Sequence, residues 1–104
     1  MMAVGVGDCK VTANAGECLV TYGLGSCIGI AIWDPVSRVG GLLHFMLPES
    51  SQDSQKAAAN PFLYADTGIP LLFKTAYRLG ADKKRLLVRV AGGAQVLDGD
   101  GYFN

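Results

Sequence analysis

The sequence predicts an α/β domain in which a β-sheet is covered by one helix. Residues 27–33 and 39–47 are rich in β-branched and apolar side chains, whereas residues 68–79 repeat apolar side chains at helical spacing. A last strand is expected at residues 85–91, after the helix. With 104 residues, half of them apolar, the chain suits one packed domain, which we take to span residues 1–104.

The first half of the chain is predicted to consist of strands. Short pieces are expected at residues 4–6 and 10–12, and a longer one at residues 17–22. The turn chemistry lies in Asp34-Pro35-Val36-Ser37, where Asp suits the first position of a turn and Pro the second. The stretches on either side of this turn are therefore predicted to pair as an antiparallel hairpin over residues 27–47.

This hairpin brings Cys27 and His44 together. If residues 34–37 form the turn, Trp33 pairs with Arg38, and Cys27 then pairs with His44 at a Cβ separation of about 4.5–5.5 Å. A shift of one residue would place the two on opposite faces of the sheet. A six-residue loop would keep them on one face as diagonal neighbours, so the loop length decides the pairing.

The second half is predicted to contain a loop and then the helix. Residues 48–61 are polar and irregular, which is typical of a surface loop. We expect the helix at residues 68–79, with Thr67 as N-cap, Pro70 in the first turn and Gly80 as the stop. Its buried stripe is expected to contain Ile69, Leu72, Phe73, Ala76 and Leu79.

Composition and charge exclude several classes of function. The nine basic and nine acidic residues balance, so no basic surplus indicates binding to nucleic acid or anionic lipid. The longest apolar stretch is much shorter than the roughly 18 residues that cross a bilayer. The N-terminus also lacks the cationic and apolar segments of a secretory signal. We therefore expect a cytoplasmic protein without direct membrane insertion.

The three cysteines, Cys9, Cys18 and Cys27, are spaced nine residues apart. An odd number of cysteines without a secretory signal indicates reduced thiols. No C-x-x-C motif is present and the chain has one histidine, so a structural zinc site would lack ligands. A thiol redox protein remains an alternative, which the missing C-x-x-C motif disfavours.

Cys27 and His44 suit the roles of nucleophile and general base. A thiol attacks only after it loses its proton, and a neighbouring imidazole can take that proton. Gly23-Leu24-Gly25-Ser26 precedes Cys27 and would let backbone N–H groups approach a substrate oxygen. From these residues alone the alternative stays open that both side chains belong to the core, because free cysteine is usually buried.

Several motifs occur in a fixed order along the chain. They are Leu24-Gly25-Ser26-Cys27, Asp34-Pro35, Gly40-Gly41-Leu42-Leu43-His44-Phe45-Met46-Leu47-Pro48, Tyr64-Ala65-Asp66 and Ala91-Gly92-Gly93-Ala94. Together they resemble the CheD family, the chemoreceptor glutamine deamidases of bacterial and archaeal chemotaxis. The resemblance covers nearly the whole chain.

The resemblance implies a fold and an activity. The fold would be a CheD-like three-layer α/β sandwich, truncated here at its C-terminal end. The activity would be hydrolysis of receptor glutamine side chains to glutamate with release of ammonia, and no metal or organic cofactor is implied. The implied partners are the helical cytoplasmic bundles of chemoreceptors and CheC, a phosphatase of the phosphorylated response regulator. A non-catalytic module that regulates CheC or a receptor is the main alternative.

The resemblance also assigns roles to residues. Cys27 falls on the family's nucleophile and His44 on its histidine. Thr21 falls on the family's third member, a threonine that could hydrogen-bond the imidazole and hold its tautomer. The candidate oxyanion contacts are Gly25, Ser26 and Gly93.

Overall fold

The described residues form seven strands, two α-helices and a 3₁₀ turn. The computed structural model describes residues 1–14, 16–24, 27–46, 50, 53–92 and, for the backbone alone, 95–97. The strands are β1 (Met2–Ala3), β2 (Asp8–Thr12), β3 (Leu19–Val20), β4 (Ile28–Asp34), β5 (Val39–Phe45), β6 (Leu87–Gly92) and β7 (Gln95–Leu97). The helices are α1 (Ser54–Ala59) and α2 (Ala65–Arg78), with a 3₁₀ turn at Pro61–Leu63 between them.

Five of the strands form one antiparallel sheet in the order β2-β5-β4-β6-β7. Helix α2 covers one face of this sheet, since Leu43 of β5 packs with Leu72 of α2. The parallel pair β1–β3 contacts β5, and the following residue, Thr21, bonds to His44 on the opposite face. The predicted α/β class is confirmed, with a helix layer, a central sheet and a small strand layer.

The core lies between α2 and the sheet. Alternate residues of β4 and β5 point towards the helix, because successive side chains of a strand face opposite ways. Leu72 and Ala76 are fully buried against this face. The core members from the sheet are Ile30, Ile32, Val39, Leu43 and Phe45. His44 lies between two of them in sequence and therefore points away from the helix.

The predicted hairpin is confirmed, but its predicted register is wrong by two residues. Asp34 still belongs to β4 and pairs with Val39, so the loop comprises residues 35–38. Gly29 is consequently the residue opposite His44. Cys27 lies two positions before Gly29, which makes it a diagonal neighbour of His44 and not its direct partner.

Asp34 explains this register. Its carboxylate accepts hydrogen bonds from the backbone N–H groups of Val36 and Ser37, at 2.9 and 3.3 Å. Its carbonyl accepts another from Arg38, whose φ of 62° lies in the left-handed region. The turn is therefore organised around an aspartate that is still paired as a strand residue, a combination that β-turn preferences alone do not predict.

Helix α2 begins at Ala65, three residues earlier than predicted. Thr67 is not its N-cap, because its hydroxyl donates to the carbonyls of Pro61 and Tyr64. Pro70 consequently lies inside the helix, although we placed it in the first turn. The carbonyl that Pro70 leaves without its α-helical donor belongs to Asp66, an exposed residue.

The buried stripe and the C-terminal end of α2 agree better with the prediction from sequence. Ile69 and Phe73 are partly buried against the core, as expected for the predicted stripe. Leu79 was also assigned to this stripe, but it follows the helix as its C-cap and is 44% exposed. Gly80 has a φ of 111°, the positive value that a glycine stop allows.

The segment predicted as a loop contains helix α1. Asp53 caps this helix, since its carboxylate accepts a hydrogen bond from the backbone N–H of Lys56 at 2.9 Å. The polar composition of residues 48–61 therefore did not indicate the short helix that Asp53 caps. Residues 48, 49, 51 and 52 of the predicted loop lie outside the described residues.

No helix in the described part of the chain has the length and hydropathy to cross a bilayer.

Candidate active site

His44 is a buried histidine at the centre of the candidate site. It lies on β5 between Asp8 of β2 and Gly29 of β4 and points to the face opposite α2. The residue is 1% exposed. Its carbonyl accepts a hydrogen bond from the N–H of Gly7 at 2.8 Å, so both neighbouring strands and the preceding loop fix its backbone.

Thr21 binds the imidazole of His44. Its Oγ1 lies 3.0 Å from His44 Nδ1 and 2.5 Å from the main-chain oxygen of Val4. Val4 is 2% exposed, and its N–H donates to the carbonyl of Val20 at 2.8 Å. Thr21 therefore connects the N-terminal segment to the histidine across the small strand layer.

The second ring nitrogen of His44 has no such partner. Nε2 is buried and makes no hydrogen bond within the part of the chain that the structure describes. Buried polar side-chain atoms are satisfied in the large majority of cases, so an orphaned ring nitrogen is unusual. A nitrogen held in place but left without a partner is suited to receive a proton from another group.

Cys27 lies immediately before β4 and is half-buried. Its N–H donates to the carbonyl of Leu24 at 2.6 Å. Diagonal neighbours in an antiparallel pair have Cα atoms about 7–8 Å apart, a distance that side chains can bridge. The structure shows no hydrogen bond between the Cys27 thiol and Nε2 of His44. The register of β4 and β5, continued by one residue to Cys27, therefore makes the two residues diagonal neighbours.

Gly92 is a contributor to this region that the sequence did not reveal. An added Cβ at Gly92 would lie 2.7 Å from the carbonyl oxygen of Cys27. The end of β6 thus packs directly on the backbone of Cys27, where only glycine fits. In the sequence, Gly92 could equally be part of a simple turn.

The other two cysteines have different surroundings. Cys9 lies on β2 with its side chain against the core, and burial together with the Asp8 carboxylate raises the pKa of its thiol to about 11. Such a thiol is protonated at neutral pH and is a poor nucleophile. Cys18 is exposed. Neither is adjacent to His44 in the sheet register, since Cys9 pairs with Leu43.

An open cavity of about 100 Å³ lies beside Thr21 on the same face of the sheet as His44. Its lining is almost entirely apolar, with one charged residue. The lining residues are Thr21, Leu24, Gly29, Ala31, Leu42, Arg89, Val90 and Ala91. A concave apolar surface next to convergent polar groups is typical of a ligand site.

The structure places three of the six predicted site residues. Thr21 and His44 are in contact, and Cys27 lies directly before β4, as a diagonal neighbour of His44. The candidate oxyanion residues Gly25, Ser26 and Gly93 lie outside the described residues. The carbonyl of Val4 was not predicted, because a main-chain contact across 17 residues leaves no signal in the sequence.

Comparisons with known proteins give the family. Residues 46–104 match the family described as CheD chemotactic sensory transduction. The chain is 58% identical over 100 residues to the probable chemoreceptor glutamine deamidase CheD 1 of Syntrophus aciditrophicus, covering 96% of this chain and 62% of that protein. It is 48% identical over 95 residues to the probable chemoreceptor glutamine deamidase CheD of Pyrococcus horikoshii, covering 91% of this chain and 57% of that protein.

A third relative is similar over almost the whole chain. The probable chemoreceptor glutamine deamidase CheD of Solibacter usitatus is 46% identical over 101 residues, which cover 97% of this chain and 60% of that protein. The chain thus spans between 57% and 62% of the length of these three relatives. Because the matched family region takes in more than half of the chain, the chain belongs to the CheD family.

Proposed function

We propose that this chain carries the catalytic site of a protein-glutamine deamidase, which converts chemoreceptor glutamine side chains to glutamate in chemotaxis. Cys27 is the nucleophile, His44 the general base, and Thr21 orients the imidazole. The observation that carries the proposal is the state of His44, whose Nδ1 is bound by Thr21 while its buried Nε2 is unpartnered within the described residues. The names of the relatives agree with this chemistry.

The first half of the reaction forms a thioester. Nε2 of His44 takes the proton of the Cys27 thiol, and the thiolate attacks the side-chain amide carbon of the glutamine. The C=O electrons move onto oxygen in the tetrahedral intermediate. When that intermediate collapses, the C–N bond breaks and the imidazolium returns its proton to the leaving nitrogen, which departs as ammonia.

The second half restores the enzyme. The imidazole takes a proton from water, and the resulting hydroxide attacks the thioester carbon. The C–S bond breaks and the proton returns to sulfur, which leaves a glutamate side chain on the substrate. Each step needs one nitrogen that alternates between base and acid, and Nε2 is the nitrogen that Thr21 leaves available.

The proposed partners follow from the family. We propose that the substrates are glutamines on the helical cytoplasmic part of chemoreceptors, which places the reaction in the cytoplasm. We also propose CheC as a binding partner. The apolar cavity beside Thr21 supports a substrate that presents an apolar side chain next to its glutamine.

The roles of the residues can be tested by ammonia release from a chemoreceptor cytoplasmic fragment. We expect Cys27→Ala and His44→Gln to lower the rate by at least about a thousandfold, because each removes a group that the chemistry uses in both halves. Cys18→Ala is the matched control and should retain the parent rate, since Cys18 is exposed and away from His44. Equal rates for Cys27→Ala and Cys18→Ala would exclude Cys27 as the nucleophile.

A further inference from the structure

We propose that the main-chain carbonyl of Val4 is a positioning group of the active site. It sets the direction of the hydrogen bonds that pass through Thr21 and thereby selects the tautomer of His44 in which Nδ1 carries the proton. The catalytic consequence rests on the proposed deamidase function. The tautomer itself does not, because it follows from the hydrogen bonds of the resting protein.

The hydroxyl of Thr21 has one proton for its two hydrogen-bond partners. A threonine hydroxyl has one proton to donate and lone pairs with which to accept, whereas a carbonyl oxygen can only accept. Oγ1 of Thr21 lies 2.5 Å from the oxygen of Val4. The hydroxyl proton must lie between these two oxygens, since otherwise two lone pairs would face each other at that distance.

The state of the imidazole follows. Once its proton points to Val4, Thr21 can offer His44 only a lone pair. The 3.0 Å contact with Nδ1 is then a hydrogen bond in which Nδ1–H donates to Oγ1. A neutral imidazole carries one N–H, so Nε2 has the free lone pair. That is the form in which Nε2 can accept the proton of a thiol.

The opposite tautomer of His44, with its proton on Nε2, would be energetically unfavourable for two reasons. Nε2–H would be a buried donor without an acceptor among the described residues, and leaving such a donor unpaired is unfavourable. Nδ1 would become a lone pair that competes with Val4 for the single proton of Thr21. Both effects favour the tautomer with the proton on Nδ1.

The carbonyl of Val4 is held from both sides. The N–H of Val4 donates to the carbonyl of Val20, the residue directly before Thr21. Three residues later, Gly7 donates to the carbonyl of His44 at 2.8 Å and accepts from the side chain of Asn60 at 2.9 Å. Residues 4–7 are thus hydrogen-bonded to the backbone of His44 and to that of Val20, the neighbour of Thr21, which fixes the geometry before a substrate binds.

Chemical synthesis gives a direct test of this carbonyl. Cys9 allows a synthetic thioester of residues 1–8 to be ligated to residues 9–104, which yields the full chain. Replacing the Val4–Gly5 amide by an ester weakens the Val4 carbonyl as an acceptor. It also removes the N–H of Gly5, which donates to no acceptor within the described residues. The matched control is an ester one bond later, between Gly5 and Val6, which leaves the Val4 carbonyl unchanged.

The measurement is the nitrogen-15 NMR spectrum of the ring, recorded where the imidazole is neutral. His44 is the sole histidine of the chain, so its two ring signals need no separation from others. We expect the proton on Nδ1 in the parent. The Val4–Gly5 ester should shift the tautomer ratio towards Nε2–H by roughly twofold to tenfold, the effect of weakening one neutral hydrogen bond, and the control ester should not.

Two recombinant variants test the next link of the same hydrogen-bond chain, the contact of Thr21 with His44 through which the Val4 carbonyl must act. Thr21→Ser keeps the hydroxyl and should keep the proton on Nδ1, whereas Thr21→Val removes the hydroxyl and should lose this preference. A parent with its proton on Nε2, equal shifts from both esters, or equal spectra for the two variants would overturn the proposal. If the spectra behave as expected but no ammonia is released from a receptor fragment, the proposed function fails and the positioning role stands.

Discussion

At the scale of single residues, successive side chains of β5 alternate between the hydrophobic core and the candidate active site. Leu43 points into the core towards α2, and its partner Cys9 lies on that same side of the sheet. His44, one residue later, points to the other face, where Thr21 binds it. The pleat of the paired strands β2 and β5 therefore places a thiol of low reactivity on the helix side and the imidazole on the side that carries the candidate site.

The buried environment of Cys9 leads to a prediction about its reactivity. With its pKa raised to about 11 by burial and by Asp8, Cys9 holds about a hundredfold less thiolate than an ordinary thiol at pH 8. A more basic thiolate is also a better nucleophile, so each Cys9 thiolate reacts about tenfold faster, which offsets part of the hundredfold smaller thiolate population. We expect alkylation of Cys9 by iodoacetamide to be about tenfold slower than alkylation of exposed Cys18. Peptide mapping after timed quenching measures both, and equal rates would contradict the assigned environment.

The sequence predicts this site in part. The motifs contain Cys27 and His44, the family resemblance adds Thr21, and the contact between Thr21 and His44 is present in the structure. The direct pairing of Cys27 with His44 was wrong, because the position of the turn depends on how Asp34 bonds the loop backbone. The role of Val4 could not be predicted, since its side chain takes no part in the contact.

At the scale of elements, the close approach of α2 to the sheet depends on Gly41 of β5. A Cβ added there would lie 2.9 Å from Cδ1 of Leu72 and 3.2 Å from side-chain atoms of Ile32 and Val11. These neighbours belong to the packed core, which has little room to adjust. The glycine thus sets the distance at which the helix packs.

Replacing this glycine should destabilise the protein. We expect Gly41→Ala to lower the free energy of unfolding by about 1–3 kcal/mol, the usual effect of overpacking a core. Gly5→Ala is a suitable control, because an added Cβ at Gly5 has no neighbour within 4 Å and should change the free energy by less than about 0.5 kcal/mol. Urea unfolding of the three proteins measures the difference, and equal midpoints would argue against close packing of α2 at Gly41.

Element types were easier to predict than element boundaries. The hairpin strands follow from two dense runs of apolar and β-branched residues and α2 from a repeat at helical spacing, so many residues contribute to each signal. The start of α2 was misplaced because Pro70 suggested a helix N-terminus, although this proline lies further inside the helix. Helix α1 was missed because its six residues are too few to show a period.

At the scale of the whole molecule, Asp34 joins two distant parts of the chain. Besides organising the hairpin loop, its carboxylate accepts hydrogen bonds from the N–H of Asp82 at 2.9 Å and from Nε and Nη2 of Arg85 at 3.0 and 2.9 Å. Asp34 is completely buried. These bonds attach the segment between α2 and β6, which contains Asp82 and Arg85, to the turn between β4 and β5.

This network predicts how stability depends on pH. The Arg85 guanidinium and several backbone N–H groups hold the pKa of Asp34 well below its usual range. A carboxylate whose pKa is lower in the folded state stabilises the protein above its unfolded pKa of about 3.9, and this contribution is lost as the pH falls towards the folded value. We therefore expect the contribution of Asp34 to be complete at pH 7 and to decline below about pH 4.

Thermal unfolding of the parent and of Asp34→Asn checks this prediction. At pH 7 the variant should unfold at least about 5 °C below the parent, because it loses the ion pair and leaves Arg85 without its carboxylate partner. The gap should narrow as the pH is lowered below about 4, since Asp34 of the parent then binds a proton on unfolding, whereas the asparagine of the variant does not. Other carboxylates, such as Asp66, titrate in both proteins and cancel in the comparison. A gap that stays constant down to pH 2.5 would show that Asp34 is not the titrating group.

The proposal for the whole protein is that Cys27 deamidates chemoreceptor glutamines with His44 and Thr21. Mass spectrometry of a chemoreceptor cytoplasmic fragment, incubated with the parent chain and separately with Cys27→Ala, tests it most directly. Each conversion of glutamine to glutamate adds about one dalton at a single site, because an amide is hydrolysed to an acid. We predict this gain at discrete glutamines with the parent and none with Cys27→Ala. No gain with the parent, or the same gain with both proteins, would contradict the proposal.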